Sequence, residues 1–547
     1  MTDFSVHEIP EYGEPVSEYV PQQVVAPATL GVLGPALTRP RWLPVLFLMP
    51  LIFCGISWQC GGVPLFTDVG MFWLLMTLFV IMLGELKSFS RRFGVGAFVL
   101  FGGSLVWYMD DYMTNWFGVN FSATATPYGR ETVAKAAFFT CLFIMSASAG
   151  LLMNPPKFLV RWSYALPEPP SPRVYFVAIM GMFAIGMIPI VFFTRGSLLE
   201  NIYQGFTAMR STTGGINFTT GRTGNLNYSW GGYLAQVMEV GEIGAILAMY
   251  YVVMIPGSRT SKVICILIWL YQSAMAFGGG SRGEFLFHVF PVAGLLFVRY
   301  MTIAASYLKR FSKRAVIYSS IFMFCTLVVV QIQGTFRTVG LEQADLGELQ
   351  VFKNQGNSMF TEGLLGYQYF PGAFGYTGDI FPGATFIMPI PDVAVRYGIS
   401  WIPRVLWHGK PGISAVGQWY NKQMSGGTAV NEEGGDVQSG GTVAPSISAL
   451  AYMGYGWAGV VEIGILFGLL CKLAEQCLYV NLNKPFGLMF SMGLVTWLFR
   501  DFRDLTPHDL YPLLIGTIVG AAGIFVLNAF AGGAPAGGQV AYAGEES

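Results

Sequence analysis

The sequence predicts an all-α, polytopic membrane protein with about twelve transmembrane helices, and three observations support this fold class. Apolar residues make up 53% of the 547 residues and charged residues only 11%, whereas soluble domains carry about 25% charged residues. Apolar runs of about twenty residues recur, which is the length that crosses a bilayer core as a helix. The loops between the runs alternate between basic and non-basic composition. The formal net charge is zero, so no global field attracts nucleic acid.

The apolar runs also predict how the chain is divided. Candidate spans lie at 42–59, 71–86, 93–109, 133–153, 173–194, 231–254, 262–278, 284–306, 315–332, 456–480, 485–500 and 511–530. They predict a polar, acidic tail at 1–41, a bundle of about nine spans in 42–332, a large loop at 333–455, about three spans in 456–530 and a second tail at 531–547.

Basic residues orient the spans, because loops rich in Lys and Arg stay in the cytoplasm. The loops that follow even-numbered spans are basic, and the loop at 60–70 has no Lys or Arg. The basic loop residues are Lys87, Arg91, Arg92, Lys157, Arg161, Arg173, Arg259, Lys262, Lys309, Arg310, Lys313 and Arg314. Both termini are therefore predicted to be cytoplasmic, and the loop 333–455 is predicted to lie outside.

Some cations oppose this bias, and they are the first candidates for function. Long outer loops translocate whatever their charge, which accounts for those in 333–455. It does not account for Arg282, which lies in a glycine-rich turn between two spans, or for Arg500 and Arg503 at another short turn. A charge at membrane depth is a functional-site hypothesis by default.

Acidic residues give weaker indications. Glu239, Glu242, Glu284 and Glu462 lie in or at the mouth of predicted spans, where a structural ion pair is at least as common as a functional role. Asp110 and Asp111 at the end of the third span are the one pair suited to a divalent cation. The seven cysteines and four histidines show no metal-ligand spacing, so neither a metal nor another cofactor is expected.

Three segments resemble one family of membrane enzymes. They are FGGGSRGEF at 277–285, IPRVLWHGKPG at 402–412 with GQWYNKQ at 417–423, and TVAPSISALAYMGYGWAGVVEIGILFG at 442–468. They are similar to the Wzy-type O-antigen and oligosaccharide repeat-unit polymerases, over about residues 275–500. In that family a Pro-Arg, Trp and Lys-Pro cluster lies late in a large periplasmic loop, and a small-residue segment then leads into the next helix.

The resemblance implies a C-type glycosyltransferase in the bacterial inner membrane, acting at its outer face. The enzyme would polymerise repeat units carried on undecaprenyl diphosphate into O-antigen or exopolysaccharide. Its partners would be these lipid-linked glycans, membrane lipid and a chain-length regulator. Arginines suit the diphosphate leaving group, because a guanidinium matches phosphate oxygens bidentately. Metal-independent catalysis is therefore expected.

The resemblance implies site residues at Arg282, Arg404 and Lys410, with Arg337 after the ninth span, and the positions of the other charged residues add further candidates. The predicted catalytic residues are Arg282, Glu284, Arg337, Arg404 and His408, where His408 replaces a proline and is either a base or a spacer. The predicted substrate-binding residues are Arg210, Arg222, Lys410, Arg500 and Arg503. The last predicted substrate-binding residue is a tyrosine beside Met453, either Tyr452 or Tyr455.

Three other functions remain open at this point. An O-antigen ligase uses the same kind of donor and differs in its acceptor. A metal-using C-type transferase would place a cation at Asp110 and Asp111. A polysaccharide or lipid-linked-sugar transporter or flippase is the non-enzymatic alternative, although such folds usually show internal repeats and this sequence shows none.

Overall fold

The computed structural model of the protein describes residues 40–88, 94–109, 129–194, 231–278, 285–296, 446–502 and 510–530. Within these ranges the structure is helical and contains no strand. Six of the described helices contain a stretch long and apolar enough to cross a membrane: Pro64–Glu85, Arg130–Leu152, Pro172–Pro189, Val237–Met254, Tyr455–Val480 and Leu513–Phe530. The prediction of a helical membrane protein is thus confirmed, and the count of about twelve spans stays a prediction.

The described helices are numbered here in chain order. A 3₁₀ turn at Leu43–Phe47 leads into α1 (Leu48–Gln59), which is followed by α2 (Pro64–Ser88). Helix α3 consists of Val95–Ala97, a π-helical turn at Phe98–Gly102, and Gly103–Tyr108. The others are α4 (Gly129–Leu152), α5 (Lys157–Tyr164), α6 (Pro172–Thr194), α7 (Gly231–Met254), α8 (Arg259–Gly278), α9 (Phe285–Leu296), α10 (Ile447–Val480), α11 (Pro485–Asp501) and α12 (Tyr511–Phe530).

One predicted boundary was wrong, and the correction has a local cause. Helix α2 begins at Pro64 rather than at 71, because proline fits the first turn of a helix. Helix α10 begins at Ile447, and the part of it that is long and apolar enough to cross a membrane, Tyr455–Val480, agrees with the predicted span 456–480. The predicted start coincides with a kink at Gly456, where φ is +67°, a backbone angle that glycine adopts at little cost.

Glycines bring the helices close together. A Cβ at Gly468 of α10 would overlap the carbonyl oxygen of Ala147 in α4, and one at Gly464 would lie 2.9 Å from the Cβ of Ser146. The spacing of these two glycines predicted helix packing, and they do line the contact between α4 and α10. Gly516 of α12 likewise packs against Ile243 of α7.

Helix α11 joins two groups of helices. In the first, α10 packs along α4, which also contacts α1. In the second, α7 packs along α6, α8 and α12. Helix α11 contacts α10 of the first group and both α7 and α12 of the second. Its two ends are therefore surrounded by residues from distant parts of the sequence.

The contacts define two opposite ends of this bundle. At the 446 end, the end of α1, the start of α4, the start of α10 and the end of α11 meet. Evidence for this is the hydrogen bond from the backbone N–H of Ile447 to the carbonyl of Phe502, at 3.1 Å, and the contact of the Phe139 and Tyr452 rings, whose centroids lie 4.5 Å apart. At the 168 end, Glu168 from the loop between α5 and α6 meets the start of α11 at Gly487, at 3.0 Å.

Candidate functional site

Most of the site residues predicted from sequence lie outside the described residues. This applies to Arg210, Arg222, Arg282, Glu284, Arg337, Arg404, His408, Lys410 and Arg503, and to the acidic pair Asp110 and Asp111. Within the described ranges are Arg500, the last arginine of α11, and the tyrosines Tyr452 and Tyr455 that flank Met453. The structure places Arg500 and Tyr452 at the same end of the bundle, although they come from different helices.

The junction between α10 and α11 builds this 446 end. The hydroxyl of Ser446 accepts the backbone N–H of Ala449 at 3.3 Å and so caps α10. Ser446 adopts φ +78° and ψ +155°, a region that is almost restricted to glycine and costs of order 1–3 kcal/mol. The hydrogen bond from Ile447 to Phe502 ties this strained turn to the residue that follows α11. The predicted outer loop therefore re-enters the bundle beside Arg500.

Aromatic side chains hold the end of α11 in place. The ring of Phe502 packs edge-on against Tyr108 of α3 and Phe467 of α10, with centroids 5.8 Å and 4.8 Å away. The indole N–H of Trp107 donates to the carbonyl of Phe499 at 3.2 Å. On its other side, Phe499 packs against Phe290 of α9 at 5.9 Å. The last turn of α11, which carries Arg500, is thus fixed between α3 and α9.

Lys135 of α4 is a cation at the 446 end that sequence reasoning missed. Its Nζ atom lies 4.8 Å from the ring centroid of Tyr452 and 5.9 Å from that of Trp58, within the range of cation–π contacts. The sequence contained one signal for it: Lys135 lies near the predicted outer end of the fourth span, opposite to the positive-inside bias. Tyr452 is the tyrosine of the 442–468 segment that faces this cation.

A second polar group lies where α9 begins, a few residues after the glycine-rich turn that contains Arg282. The Nε2 atom of His288 lies 3.6 Å from Oε2 of Glu242 in α7, and His288 is fully buried. The carbonyl of His288 accepts the indole N–H of Trp269 at 3.3 Å, and the Tyr250 hydroxyl donates to the carbonyl of Pro291 at 3.0 Å. These bonds fix α9 against α7 and α8. Glu242 therefore lies beside the buried His288 in the contact between α7 and α9.

At the opposite end, Glu168 caps the start of α11. Its carboxylate accepts the backbone N–H groups of Gly487 at 3.0 Å and Phe486 at 3.3 Å, together with the hydroxyl of Tyr175. Burial raises the pKa of Glu168 to about 7, against the lowering effect of the two N–H donors and of Lys484. Burial also lowers the pKa of Lys484. This end thus holds a carboxylate whose charge changes near neutral pH.

Two further lysines, Lys484 and Lys472, have oxygen acceptors within hydrogen-bond distance. The ammonium of Lys484 lies 3.4 Å from the ring centroid of Tyr164 and donates to the carbonyl of the same residue at 2.5 Å. The buried Lys472 donates to Oε1 of Glu475 at 2.7 Å. The other carboxylate oxygen of Glu475 accepts the N–H of Gly96 at 3.1 Å, at the start of α3. Both lysines therefore have oxygen acceptors and a structural explanation.

Across the described ranges, no three His, Cys, Asp or Glu side chains gather in an arrangement that would hold a metal ion. Comparisons of the chain with protein-family models, with curated proteins and with solved structures found no match. A proposal for the function therefore depends on the geometry of the 446 end and on the chemistry of its residues.

Proposed function

We propose that the protein is a membrane glycosyltransferase that polymerises glycan repeat units carried on a polyprenyl diphosphate, in the manner of the Wzy-type polymerases that it resembles. The observation that carries the proposal is the junction at the 446 end. There the resembling segment 442–468 enters the bundle through Ser446 and is hydrogen-bonded to the residue after α11, next to Arg500. Residues predicted to bind substrate thus come together from separate parts of the chain.

The distribution of charge supports an outward orientation of the 446 end. Near the 168 end lie the loop and helix-end cations Lys157, Arg161, Arg173, Arg259, Lys262 and Lys484. Near the 446 end the described cations are Arg130, Lys135 and Arg500. By the positive-inside rule, the 168 end faces the cytoplasm. The 446 end then faces the side on which an exported lipid-linked glycan is exposed.

The chemistry of the 446 end suits the proposed reaction. When the glycosidic bond to the carrier breaks, negative charge grows on the leaving diphosphate, and fixed cations stabilise that transition state. Arg500 is held on the last turn of α11 by the contacts of Phe499 and Phe502, so little order is lost when it binds an anion. Trp58, which is partly exposed, supplies an aromatic ring of the kind on which sugar rings stack. Arg282 and Arg404 complete the proposed set of cations.

The test is product analysis with the full-length protein in detergent or liposomes, supplied with a lipid-linked repeat unit. Polymerase activity yields a ladder of longer glycans on the lipid carrier, and the ladder persists in EDTA. An O-antigen ligase would instead transfer glycan only when a second lipid acceptor is added. A transporter would move the intact substrate across the liposome membrane without changing its length. Either of these outcomes contradicts the proposal.

A further inference from the structure

We infer that Lys135, together with the rings of Trp58 and Tyr452, forms a binding site for the diphosphate group of the lipid-linked substrate. This inference deepens the proposed function and rests on it for the identity of the substrate. It adds Lys135 and Trp58, two residues from the first half of the chain that lie outside the segments resembling the polymerase family. The three residues come from α1, α4 and α10 and meet only in the folded protein.

The state of the Lys135 ammonium is the first argument. Lys472 has a carboxylate at 2.7 Å and Lys484 has a carbonyl oxygen at 2.5 Å. Lys135 has neither among the described residues, where its ammonium lies over two aromatic rings. Its three N–H donors therefore have no acceptor within the described part of the chain. Glu131, one helical turn earlier, is exposed.

The surroundings of Lys135 are the second argument. The side chain is half-buried, so an anion there would be partly withdrawn from water, where its attraction to a cation is stronger. Phe138 and Phe139 pack against Trp58, with centroids 5.4 Å and 5.6 Å away. This packing fixes the indole and keeps the site in one shape. The ammonium is thus held against packed aromatic rings, where it presents a positive charge to phosphate oxygens.

The position in the bundle is the third argument. Tyr452 belongs to the first turns of α10, whose cap Ser446 is only a few residues away and leads to the end of α11. Lys135 and Arg500 therefore flank the start of the same helix. Two cations thus lie near the start of α10, which suits a substrate with several negative charges.

Binding of farnesyl diphosphate, a short-chain prenyl diphosphate, to the purified full-length protein tests the site. Lys135→Met should weaken binding by about ten-fold or more, as expected for the loss of hydrogen bonds to a charged group. Lys135→Arg should retain most of the affinity, because it keeps the charge and the donors. Farnesol, which lacks the diphosphate, should bind all variants equally weakly.

Lys484→Met is the matched control, because Lys484 also lies over an aromatic ring but at the other end of the bundle. It should leave farnesyl diphosphate binding unchanged. Unchanged binding by Lys135→Met, or an equal loss in Lys484→Met, would overturn the inference. Thermal unfolding of each variant shows whether a loss of binding reflects a loss of fold. If Lys135→Met is unstable, the affinity of Lys135→Arg for farnesyl diphosphate is compared with that of the wild type instead.

Failure of the site and failure of the proposed function give different results. If the wild-type protein elongates glycans and Lys135→Met does so equally well with normal diphosphate affinity, the site is wrong and the function stands. If the wild-type protein binds farnesyl diphosphate through Lys135 but never elongates a glycan, the diphosphate site stands and the polymerase proposal is wrong.

Discussion

Replacing Glu168 with glutamine should change how the stability of the protein depends on pH. In the folded protein, burial raises the pKa of this carboxyl from its ordinary value of 4.5 to about 7. The folded state therefore binds more protons than the unfolded state between these values, and stability falls as the pH rises through this window. The difference corresponds to about 3 kcal/mol, since one pKa unit is equivalent to 1.36 kcal/mol. Because the side chain keeps some contact with solvent, this value is an upper bound.

Between pH 5 and pH 8 the wild-type protein should lose about 2.5 kcal/mol of stability through Glu168, by the same linkage relation. Glu168→Gln should lose none of this, because the amide does not titrate, while its oxygen still accepts an N–H at the start of α11. The assay is thermal or denaturant unfolding of both proteins in the same detergent at pH 5, 6, 7 and 8. The Tm difference between wild type and variant should vary with pH in this window.

Tyr175→Phe is the matched control, because it removes one hydrogen-bond donor from Glu168 without removing the ionisable group. Its stability should keep the pH dependence of the wild type. Parallel pH curves for wild type and Glu168→Gln would refute the reasoning, since they would show that the carboxyl does not titrate between pH 5 and pH 8.

Three further predictions concern packing, a buried ion pair and the proposed site. Gly468→Ala should destabilise the protein because its Cβ would meet the backbone of Ala147, whereas Gly523→Ala, with nothing within 4 Å, should be neutral or slightly stabilising in the same unfolding assay. Glu475→Gln should cost about 3 kcal/mol, because it leaves the Lys472 ammonium buried without its countercharge, and adding Lys472→Met should recover most of this loss. In the glycan elongation assay, Arg282→Lys should be markedly impaired because lysine lacks the guanidinium fork, and Arg282→Ala should lose about 3 kcal/mol of transition-state stabilisation. Normal turnover by both variants would exclude a role for Arg282.

The helical membrane fold could be predicted from the sequence because its signals are local. Apolar runs and flanking cations predicted α4, α6, α7 and α12 to within a few residues of their observed ends. The helix α5 was missed because it is short and partly basic, and so it lacks the apolar length of a span. The kink at Gly456 could not be predicted, since a glycine in an apolar run does not reveal its φ angle.

The candidate site was less predictable because its contacts are non-local. Lys135 becomes a candidate for binding only through its contacts with Trp58 and Tyr452, which lie far from it in the sequence. Glu168 looks like an ordinary loop carboxylate until the start of α11 is placed against it. The cations that the sequence did predict share one feature that is visible without a structure: they lie on the side where the positive-inside rule disfavours them. Arg500 is the one whose surroundings the structure describes.

The central claim is that the 446 end catalyses glycan transfer from a polyprenyl diphosphate. The most direct measurement is the stoichiometry of the reaction with purified wild-type protein and a lipid-linked repeat unit, counting new glycosidic bonds and released polyprenyl diphosphate in the same sample. We predict one released polyprenyl diphosphate for each glycosidic bond formed, with glycans that lengthen by whole repeat units. Glycans of unchanged length, with no release of polyprenyl diphosphate, would contradict the claim.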